Sequence, residues 1–506
     1  MQLVAYGAQD IYLTGNPQIT FFKVVYRRHT NFSMESIVQT FSGNQDFGAE
    51  VVATISRNGD LVHRMYLEHK TTLANSGGGA TDNNLGIFER YGDSLIKECE
   101  IEIGGQRIDK HTSMWNRVYS DLTEFNPNGY FAPRDPSTGA PTGNGTLYQL
   151  MTGNTLGINT DAYASDENEF GIGDTNVDGF QGADDATAGA ASITVNNIFI
   201  PLNFWFNRNP GLALPLIALQ YHEVKVKMTF EQLSDLGVTS DADHFAQGSN
   251  PITTTVTSSG SEFNLWCDYI YLDTDERRRF AQVSHEYLIE QLQYSETTIS
   301  TDSPSIDLNF NHPVKELIWC TRNETAQSSS NKGGRNQPKA YNLGDFTAGP
   351  VSLDQMGGNW QLKLNGHDRF KERDSKYFTR TQVWQHHTGY GALPTYGTKD
   401  FDGFADQGVG NAKADAVPQG GDSIAVYSFA LKPEEHQPSG TCNFSRIDNA
   451  QLVGSSLQVW QSTAEDKIAM GLISAMTSPS VKLTIFAVNY NVLRIMSGMG
   501  GLAYSN

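Results

Sequence analysis

This chain has few charged residues, few cysteines and no long hydrophobic run. Only 18% of its 506 residues are Asp, Glu, Lys or Arg. The longest apolar run, Leu212 to Leu219, contains Pro215 and is far shorter than the roughly 20 residues of a membrane-spanning helix. The N-terminal MQLVAYGAQD has neither the basic nor the apolar region of a signal peptide. We therefore expect a soluble protein.

The four cysteines, Cys99, Cys267, Cys320 and Cys442, are far apart and no pair has CxxC spacing. This spacing argues against a zinc site, because structural zinc ligands usually come in such close pairs. Cys99 and Cys267 fall within strand-like segments, where a buried free thiol is expected. Free thiols in a chain of this size indicate a reducing compartment such as the cytosol.

Motifs of catalysis are missing from the sequence. It has no GxSxG elbow and no phosphate-binding loop. His222-Glu223 and His285-Glu286 lack the second histidine of a zincin. His386 and His387 are neighbours, and neighbours on a strand point to opposite faces, so we expect an exposed strand end or loop there. We predict no enzyme activity and no cofactor, and rank a metal-dependent enzyme as the third hypothesis.

The net charge of −20 opposes general binding to phosphate backbones, so we expect no direct sequence-specific contact with nucleic acid. A small basic cluster stands out near the N-terminus: Lys23, Arg27 and Arg28. It lies on or just after the stretch Ile19 to Tyr26, which we predict as a strand. The cluster is either a solvated strand end or a contact for an acidic partner or membrane surface.

The composition favours an all-β protein, with 48 Gly, 26 Phe and 21 Tyr and little helical periodicity. The clearest strand runs from Leu265 to Leu272, where both alternating faces are largely apolar and we expect both to be covered. Asp273 to Arg279 predicts a solvated turn or short helix. For Ser284 to Gln293, strand and helix both remain open.

Other segments also show period two. Val51, Ala53 and Ile55 alternate before Asn58-Gly59, and alternation resumes afterwards, which predicts a hairpin. His63 within the second run is expected to be a partnered core histidine. A later strand directs Glu98, Glu100 and Glu102 to one face and Cys99, Ile101 and Ile103 to the other, so the acids are predicted to form a solvated face rather than a catalytic pair.

Residues 125–190 form a long excursion rich in Gly, Asn, Asp and Thr. Asp174, Asn176 and Asp178 match the start of a calcium loop, and Asp185 stands where that loop has Glu. The Gly-rich flanks are not helical, so a chance match is the stronger interpretation. Of the Asn-x-Ser/Thr sequons, Asn144 and Asn323 are expected in loops and are the candidate glycosylation sites.

The second half of the chain repeats the first. CEIEIGGQRIDKHTSMW, from Cys99, has the same plan as WQLKLNGHDRFKERDSKYF, from Trp360. VKLTIFAVNYNVLRIMSG, from Val481, is placed like the strand at Leu265. We predict two consecutive eight-stranded antiparallel jelly rolls with long inserted loops. Their expected boundaries are an N-terminal arm at 1–30, a first jelly roll at 31–283 and a second at 284–506.

Four separated stretches resemble the major capsid proteins of nucleocytoplasmic large DNA viruses, and they occur in that family's order. They are GNPQITFFKVVYRRHTNF, NFWFNRNPGLALPLIALQYHEVKV, YIYLDTDERRRFAQVSHEYLIEQLQ and FAVNYNVLRIMSGMGGLAYSN. Together they span Gly15 to Asn506. Within the family, the chain most resembles proteins of giant viruses of algae and marine flagellates, such as Cafeteria roenbergensis virus.

The resemblance implies a double jelly roll of which three copies form a pseudo-hexameric capsomer. Capsomers would tile an icosahedral shell in the virion, assembled in the host cytoplasm, with inserted loops outside and the N-terminal arm inside. Implied partners are further copies of the chain, minor capsid and penton proteins, and an internal viral membrane touched by the arm. The rival hypothesis is a carbohydrate-binding jelly-roll protein that acts alone, although the long loops are poor in Trp.

Overall fold

Two pairs of antiparallel sheets follow one another along the chain in this computed structural model. The structure describes residues 8–504 except 19, 25, 76–83, 88–90, 125–146, 155–157, 160–175, 178–179, 184–191, 234–235, 241–255, 300, 302, 324–357, 390–423 and 458–480.

The first half contains strands β1 to β15. They are β1 (Phe32–Gln39), β2 (Phe41–Ser42), β3 (Glu50–Thr54), β4 (Leu61–Asn75), β5 (Asn84–Ile87), β6 (Ile96–Ile103), β7 (Gln106–Thr112), β8 (Ile158–Asn159), β9 (Asn176–Val177), β10 (Phe180–Ala183), β11 (Ser192–Pro201), β12 (Leu214–Pro215), β13 (Val224–Phe230), β14 (Gly237–Ser240) and β15 (Val256–Leu272). Its helices are α1 (Asp10–Thr14), α2 (Tyr91–Leu95), α3 (Ser113–Thr123), α4 (Leu147–Thr152), α5 (Trp205–Arg208) and a 3-10 turn, Pro210–Leu212.

Helix α6 (Thr274–Gln282) leads into the second half. Its strands are β16 (His285–Ile299), β17 (Ser305–Asp307), β18 (Pro313–Asn323), β19 (Asn359–Leu364), β20 (His367–Asp368), β21 (Arg373–Asp374), β22 (Ile424–Ser428), β23 (Cys442–Asn443), β24 (Ala450–Ser455), β25 (Val481–Met496) and β26 (Met499–Leu502). Helical segments are a π-helical turn, Tyr377–Thr381, then α7 (Gln382–His386) and a 3-10 turn, Phe444–Arg446.

The two halves have the same sheet topology. In the first, β1-β15-β4-β11 faces β3-β13-β6-β7; in the second, β16-β25-β18-β22 faces β17-β24-β19-β20. Short strands extend these sheets, so each half has more strands than the eight predicted, and β14-β5-β8 forms a separate three-stranded sheet. The double jelly-roll fold and the internal repeat are confirmed: β6 matches β19 and β15 matches β25.

Alternating burial explains why these segments are strands. Along β13, Val224, Val226, Met228 and Phe230 are buried while the residues between them are partly exposed. The neighbouring β6 buries Cys99, Ile101 and Ile103 and directs its glutamates outward, where Lys110 and Lys227 pair with them. The solvated acidic face and the buried thiols of Cys99 and Cys267 were therefore predicted correctly.

The hairpin predicted around Asn58-Gly59 is wrong. Strand β3 pairs with β2 and β13, whereas β4 pairs with β11, β12 and β15 in the facing sheet. The turn joins two sheets, and both flanking strands alternate because both face the core between them. Val51 and Met65, from opposite sheets, lie in the same core. His63 is buried, and its Nδ1 lies 2.7 Å from the carbonyl oxygen of Phe206, as expected of a partnered core histidine.

Three further expectations were changed or decided by the structure. The described residues between Ile19 and Tyr26 contain no strand, and Phe22 is 98% exposed. Strand β15 is fully covered on its inner face only, because Trp266 and Asp268 on the outer face are partly exposed. Residues 274–282 form helix α6, capped by Asp273, and residues from His285 onward form strand β16.

Candidate functional site at the junction of the two halves

Helix α3 joins the two halves. Thr112 caps it by accepting a hydrogen bond from the backbone N–H of Trp115, at 3.3 Å. The apolar residues Met114, Val118 and Leu122 follow at intervals of four, which places them on one face. That face packs on the outer side of the sheet formed by β25, β18 and β22, in a shared buried cluster whose other members include Ile318, Val426 and Phe486. A helix of the first half thus covers the outer side of a sheet of the second half.

Buried charges lie beside this apolar contact. The carboxylate of Glu290, in the second half, lies 2.9 Å from the guanidinium of Arg208, which belongs to the first half. It also lies 2.8 Å from the ammonium group of Lys315, which belongs to the second half. Lys315 also donates to the carbonyl of Pro433. Buried ions require partners of opposite charge, since desolvation is expensive. The pairing therefore holds Arg208 of one half to a strand of the other.

His387 forms a second charged centre in the junction. Its Nε2 lies 3.0 Å from Glu316 and its Nδ1 lies 3.1 Å from Glu434. Burial disfavours the charged imidazolium, but the two carboxylates outweigh it and raise the pKa of His387 to about 9. Burial likewise opposes ionisation of Glu316, yet His387, Lys315 and Arg208 hold the pKa of this carboxyl below its usual value. At neutral pH the histidine is a buried cation.

The two residues after His387 bind the end of helix α3 directly. The backbone N–H of Gly389 donates to the carbonyl of Leu122 at 2.7 Å, and the hydroxyl of Thr388 donates to the carbonyl of Thr123 at 3.2 Å. A Cβ at position 389 would lie 2.4 Å from the carbonyl oxygen of Asp121. Only glycine permits this approach.

The C-terminal hairpin makes another contact between the halves. The backbone N–H of Tyr221 donates to the carbonyl of Gly498 at 3.0 Å, and His222 bonds to Gly500. The side-chain oxygen of Gln106 accepts from the backbone of Leu502 at 3.3 Å. Together with α3 and the charged centres, these bonds fix the two sheet pairs side by side.

Chemically, the junction is a structural contact made of apolar packing, buried ion pairs and backbone hydrogen bonds. A small cavity of about 20 Å³ lies beside His387, lined by both apolar and charged side chains that include Trp115, Arg208 and Lys315. Its charged groups are engaged with one another in the pairs described above. In the portion of the chain that the structure covers, no three His, Cys, Asp or Glu side chains are grouped to hold a metal ion.

The predicted site residues are scattered. Lys23, Arg27 and Arg28 are all exposed on the arm. Asn176 begins the short strand β9, which pairs with β10. Asp174, Asp178, Asp185 and Asn144 lie outside the described residues. Asn323 is the last residue of strand β18 rather than a loop residue. Ion binding and glycosylation therefore remain predictions.

The interpretation of His386-His387 as an exposed strand end or loop is wrong, because His386 ends helix α7 and His387 is buried in the junction. One signal was available: Lys315 and Glu316 interrupt the apolar strand PVKELIWC. Charges within a buried strand require partners. Nothing in the sequence indicates that His387 is one of them.

No helix in the described ranges is long and apolar enough to cross a membrane. The N-terminal arm nevertheless exposes Phe21, Phe22 and Tyr26 beside its basic residues.

Comparison with known proteins identifies the family. The sequence model described as "Major capsid protein N-terminus" matches residues 20–136 and 146–273. The one described as "Large eukaryotic DNA virus major capsid protein" matches residues 276–401 and 411–501. The major capsid protein of Pyramimonas orientalis virus is 45% identical over 506 residues, which cover 100% of this chain and 99% of that protein.

Solved structures show the same relationship. A chain of the quasi-atomic model of the PBCV-1 virus capsid matches with a TM-score of 0.60 and 34% identity, covering 96% of this chain and 100% of that one. The Faustovirus major capsid protein shares the fold, with a TM-score of 0.59 at 14% identity over 97% and 94% of the two chains. The chain therefore belongs to the major capsid protein family of large eukaryotic DNA viruses.

Proposed function

We propose that this protein is the structural subunit of an icosahedral virus shell, in which three copies form a pseudo-hexameric capsomer. The observation that carries the proposal is the packing together of two sheet pairs with the same strand order in one chain. Three such chains around an axis present six similar corners, and bodies of that outline tile a surface. The role requires stability and specific edges rather than catalysis, so we propose no enzymatic activity.

The proposed division of the chain is an arm at 1–30, a first jelly roll at 31–283 and a second at 284–506. The two family matches meet between residues 273 and 276, beside the start of helix α6, which supports this division. The excursion at 125–190 is inserted in the first jelly roll. We propose that it lies on the outer surface of the shell, where Asn144 would be accessible for glycosylation.

We further propose that the arm lies on the inner side of the shell. Its exposed aromatic residues and the cations Lys23, Arg27 and Arg28 suit the boundary of an anionic membrane, where aromatic rings and basic side chains bind together. Minor capsid and penton proteins are the other proposed partners. The three free buried thiols, Cys99, Cys267 and Cys320, agree with assembly in a reducing host cytoplasm.

The test is the solution mass of the purified protein by light scattering, with negative-stain images of the same peak. We expect three times the chain mass of 55.7 kDa, with hexagonal outlines. A compact monomer over a wide concentration range would contradict the capsomer. It would move the function toward ligand binding by isolated jelly rolls, and a glycan screen would follow.

A further inference from the structure

The second half contains a helical segment that matches α3. Aligning Arg107-Ile108 with Arg369-Phe370, after the matched Gly turns, places Thr112 opposite Asp374. Both residues cap the segment that follows: Thr112 accepts from the N–H of Trp115, and the Asp374 carboxylate accepts from the N–H of Lys376 at 2.8 Å. The alignment therefore agrees with the local hydrogen bonding.

The same alignment matches the two helix faces. Met114, Val118 and Leu122 of α3 correspond to Lys376, Arg380 and Trp384. The first three are buried against the other half, whereas the last three are exposed, and Trp384 is 81% exposed. Leu431, whose carbonyl oxygen lies 3.2 Å from His386 at the end of α7, is also exposed. We call the set Lys376, Arg380 and Trp384 the outer stripe.

The surface that receives α3 also has a counterpart. A cross-strand row on the outer side of the second half consists of Val426, Ile318, Phe486 and Tyr294, and α3 packs on its first three members. Trp115 touches this row, with its ring centroid 5.3 Å from that of Phe486. In the first half, the strands in the same order carry the row Pro201, Tyr66, Trp266 and Val38. We call this the first-half row.

The first-half row is an ordered aromatic surface that stays partly exposed in the single chain. Tyr66 stacks on Trp266 with ring centroids 6.4 Å apart, and both are partly exposed, while Val38 is 46% exposed. Trp266 donates to Glu68 at 2.6 Å, which fixes the indole in place. Glu68 and Asp268 also put negative charge on this side, complementary to the cations of the outer stripe.

We propose that the outer stripe docks on the first-half row of a second copy of this chain. The docked helix would repeat between chains the contact that α3 makes within one chain. Each copy has one stripe and one row, so the contact is head-to-tail and closes into a ring when the rotation permits. The inference rests on the proposed capsomer and identifies the surfaces that would hold it together.

The first experiment compares the assembly of Trp384→Ala with that of Leu147→Ala, an exposed residue of α4 with the same 81% exposure. Trp is the residue whose truncation at an interface costs most, so the concentration for half-dissociation of the trimer should rise about ten-fold or more with Trp384→Ala. Leu147→Ala should leave it unchanged. Equal thermal unfolding of both dissociated chains would show that folding is intact.

The outcomes separate the two proposals. A wild-type protein that is monomeric at all concentrations overturns the capsomer, and this inference with it. A trimeric wild type whose dissociation is unaffected by Trp384→Ala overturns only the assignment of the outer stripe.

A cross-linking experiment tests the partner surface directly. Ser36 is exposed on the outer side of β1 and pairs with Asp268 beside the first-half row. In the double variant Ser36→Cys/Arg380→Cys, a short bis-maleimide should link separate chains into covalent dimers and trimers. Each single-cysteine variant controls for the native thiols. A trimeric double variant with no more cross-linked product than the single variants would refute the contact.

Discussion

The two halves of this protein share a backbone plan and differ in the surfaces placed on it. Helix α3 carries Met114, Val118 and Leu122 into the junction, whereas the matching segment of the second half exposes Lys376, Arg380 and Trp384. The difference follows from what each helix meets. Helix α3 always meets a sheet of its own chain, so an apolar face is stable there, while the second segment faces water in the single chain.

The sheets on which these helices would lie differ in the same way. Phe486 and Ile318 are buried under α3, while Trp266 and Tyr66 on the corresponding strands of the first half are partly exposed and have polar partners. Repetition of the strand order therefore preserved the core of each half. The outer faces diverged because a contact within the chain and a water-facing surface require different side chains.

The largest effect on stability is expected from exchanging the residues at one pair of matched positions, Val118 in α3 and Arg380 in the corresponding segment of the second half. Val118→Arg would put a cation against a fully apolar surface, at a cost of about 4 kcal/mol or more in the free energy of unfolding. The reciprocal Arg380→Val should change the free energy of unfolding of the dissociated chain by no more than about 0.5 kcal/mol, because position 380 is exposed in the single chain. Urea unfolding of both variants measures the difference. Equal effects would contradict the contrast between the faces.

Removing one member of a buried ion pair should have the next largest effect. Glu316→Ala leaves the charge of His387 without its closest carboxylate, so we expect a loss of about 3 kcal/mol in the free energy of unfolding. The exposed pair between Arg494 and Glu286, at 2.8 Å, is the matched control, and Glu286→Ala should cost less than about 1 kcal/mol. A Glu316→Ala cost as small as that of Glu286→Ala would show that the junction is solvated.

The junction should also make stability depend on pH. Because the pKa of His387 is raised from 6.5 to about 9 in the folded chain, its contribution is complete below about pH 6.5 and is lost as the pH rises through 9. The full contribution is on the order of 3 kcal/mol. His387→Gln should flatten this part of the curve of urea midpoint against pH. An unchanged slope would assign the pH dependence to other groups.

His69, in the core of the first half, is a second buried histidine, and its pKa is shifted in the direction opposite to that of His387. Burial outweighs its hydrogen bond to the carbonyl of Glu262 and lowers its pKa to about 3. It therefore contributes stability above about pH 6.5 that is lost as the pH falls toward 3, which is opposite to His387. His69→Gln should reduce the dependence on pH in the acid range and leave the alkaline range unchanged.

The smallest of these effects is expected at the close backbone contact of the junction. Gly389→Ala would force a methyl group against the carbonyls of Asp121 and Leu122, so we expect a loss of about 2 kcal/mol in the free energy of unfolding. Gly501→Ala meets only the end of the Gln106 side chain, at 3.3 Å, and should be nearly neutral. Differential scanning calorimetry of the two variants compares the cost of a methyl group placed against backbone carbonyls with that of one placed against the flexible end of a side chain.

Strands were predictable where period two was strict, as in β6 and β13, because one face of each is buried in a core. The repeat was also predictable, since Cys99 and Trp360 begin segments with the same pattern. The pairing of strands was not: Asn58-Gly59 suggested a hairpin, yet its flanking strands belong to opposite sheets. Local alternation is the same whether two strands pair or face each other across a core.

By itself, the sequence determined the all-β class, the duplication, the free buried thiols and, through four separated stretches, the capsid protein family. These properties depend on side-chain periodicity and on order along the chain. Only the tertiary structure decided that His387 is buried beside Glu316 and that α3 covers the other half while its counterpart is exposed. Those outcomes depend on distances between residues far apart in sequence, which local patterns do not encode.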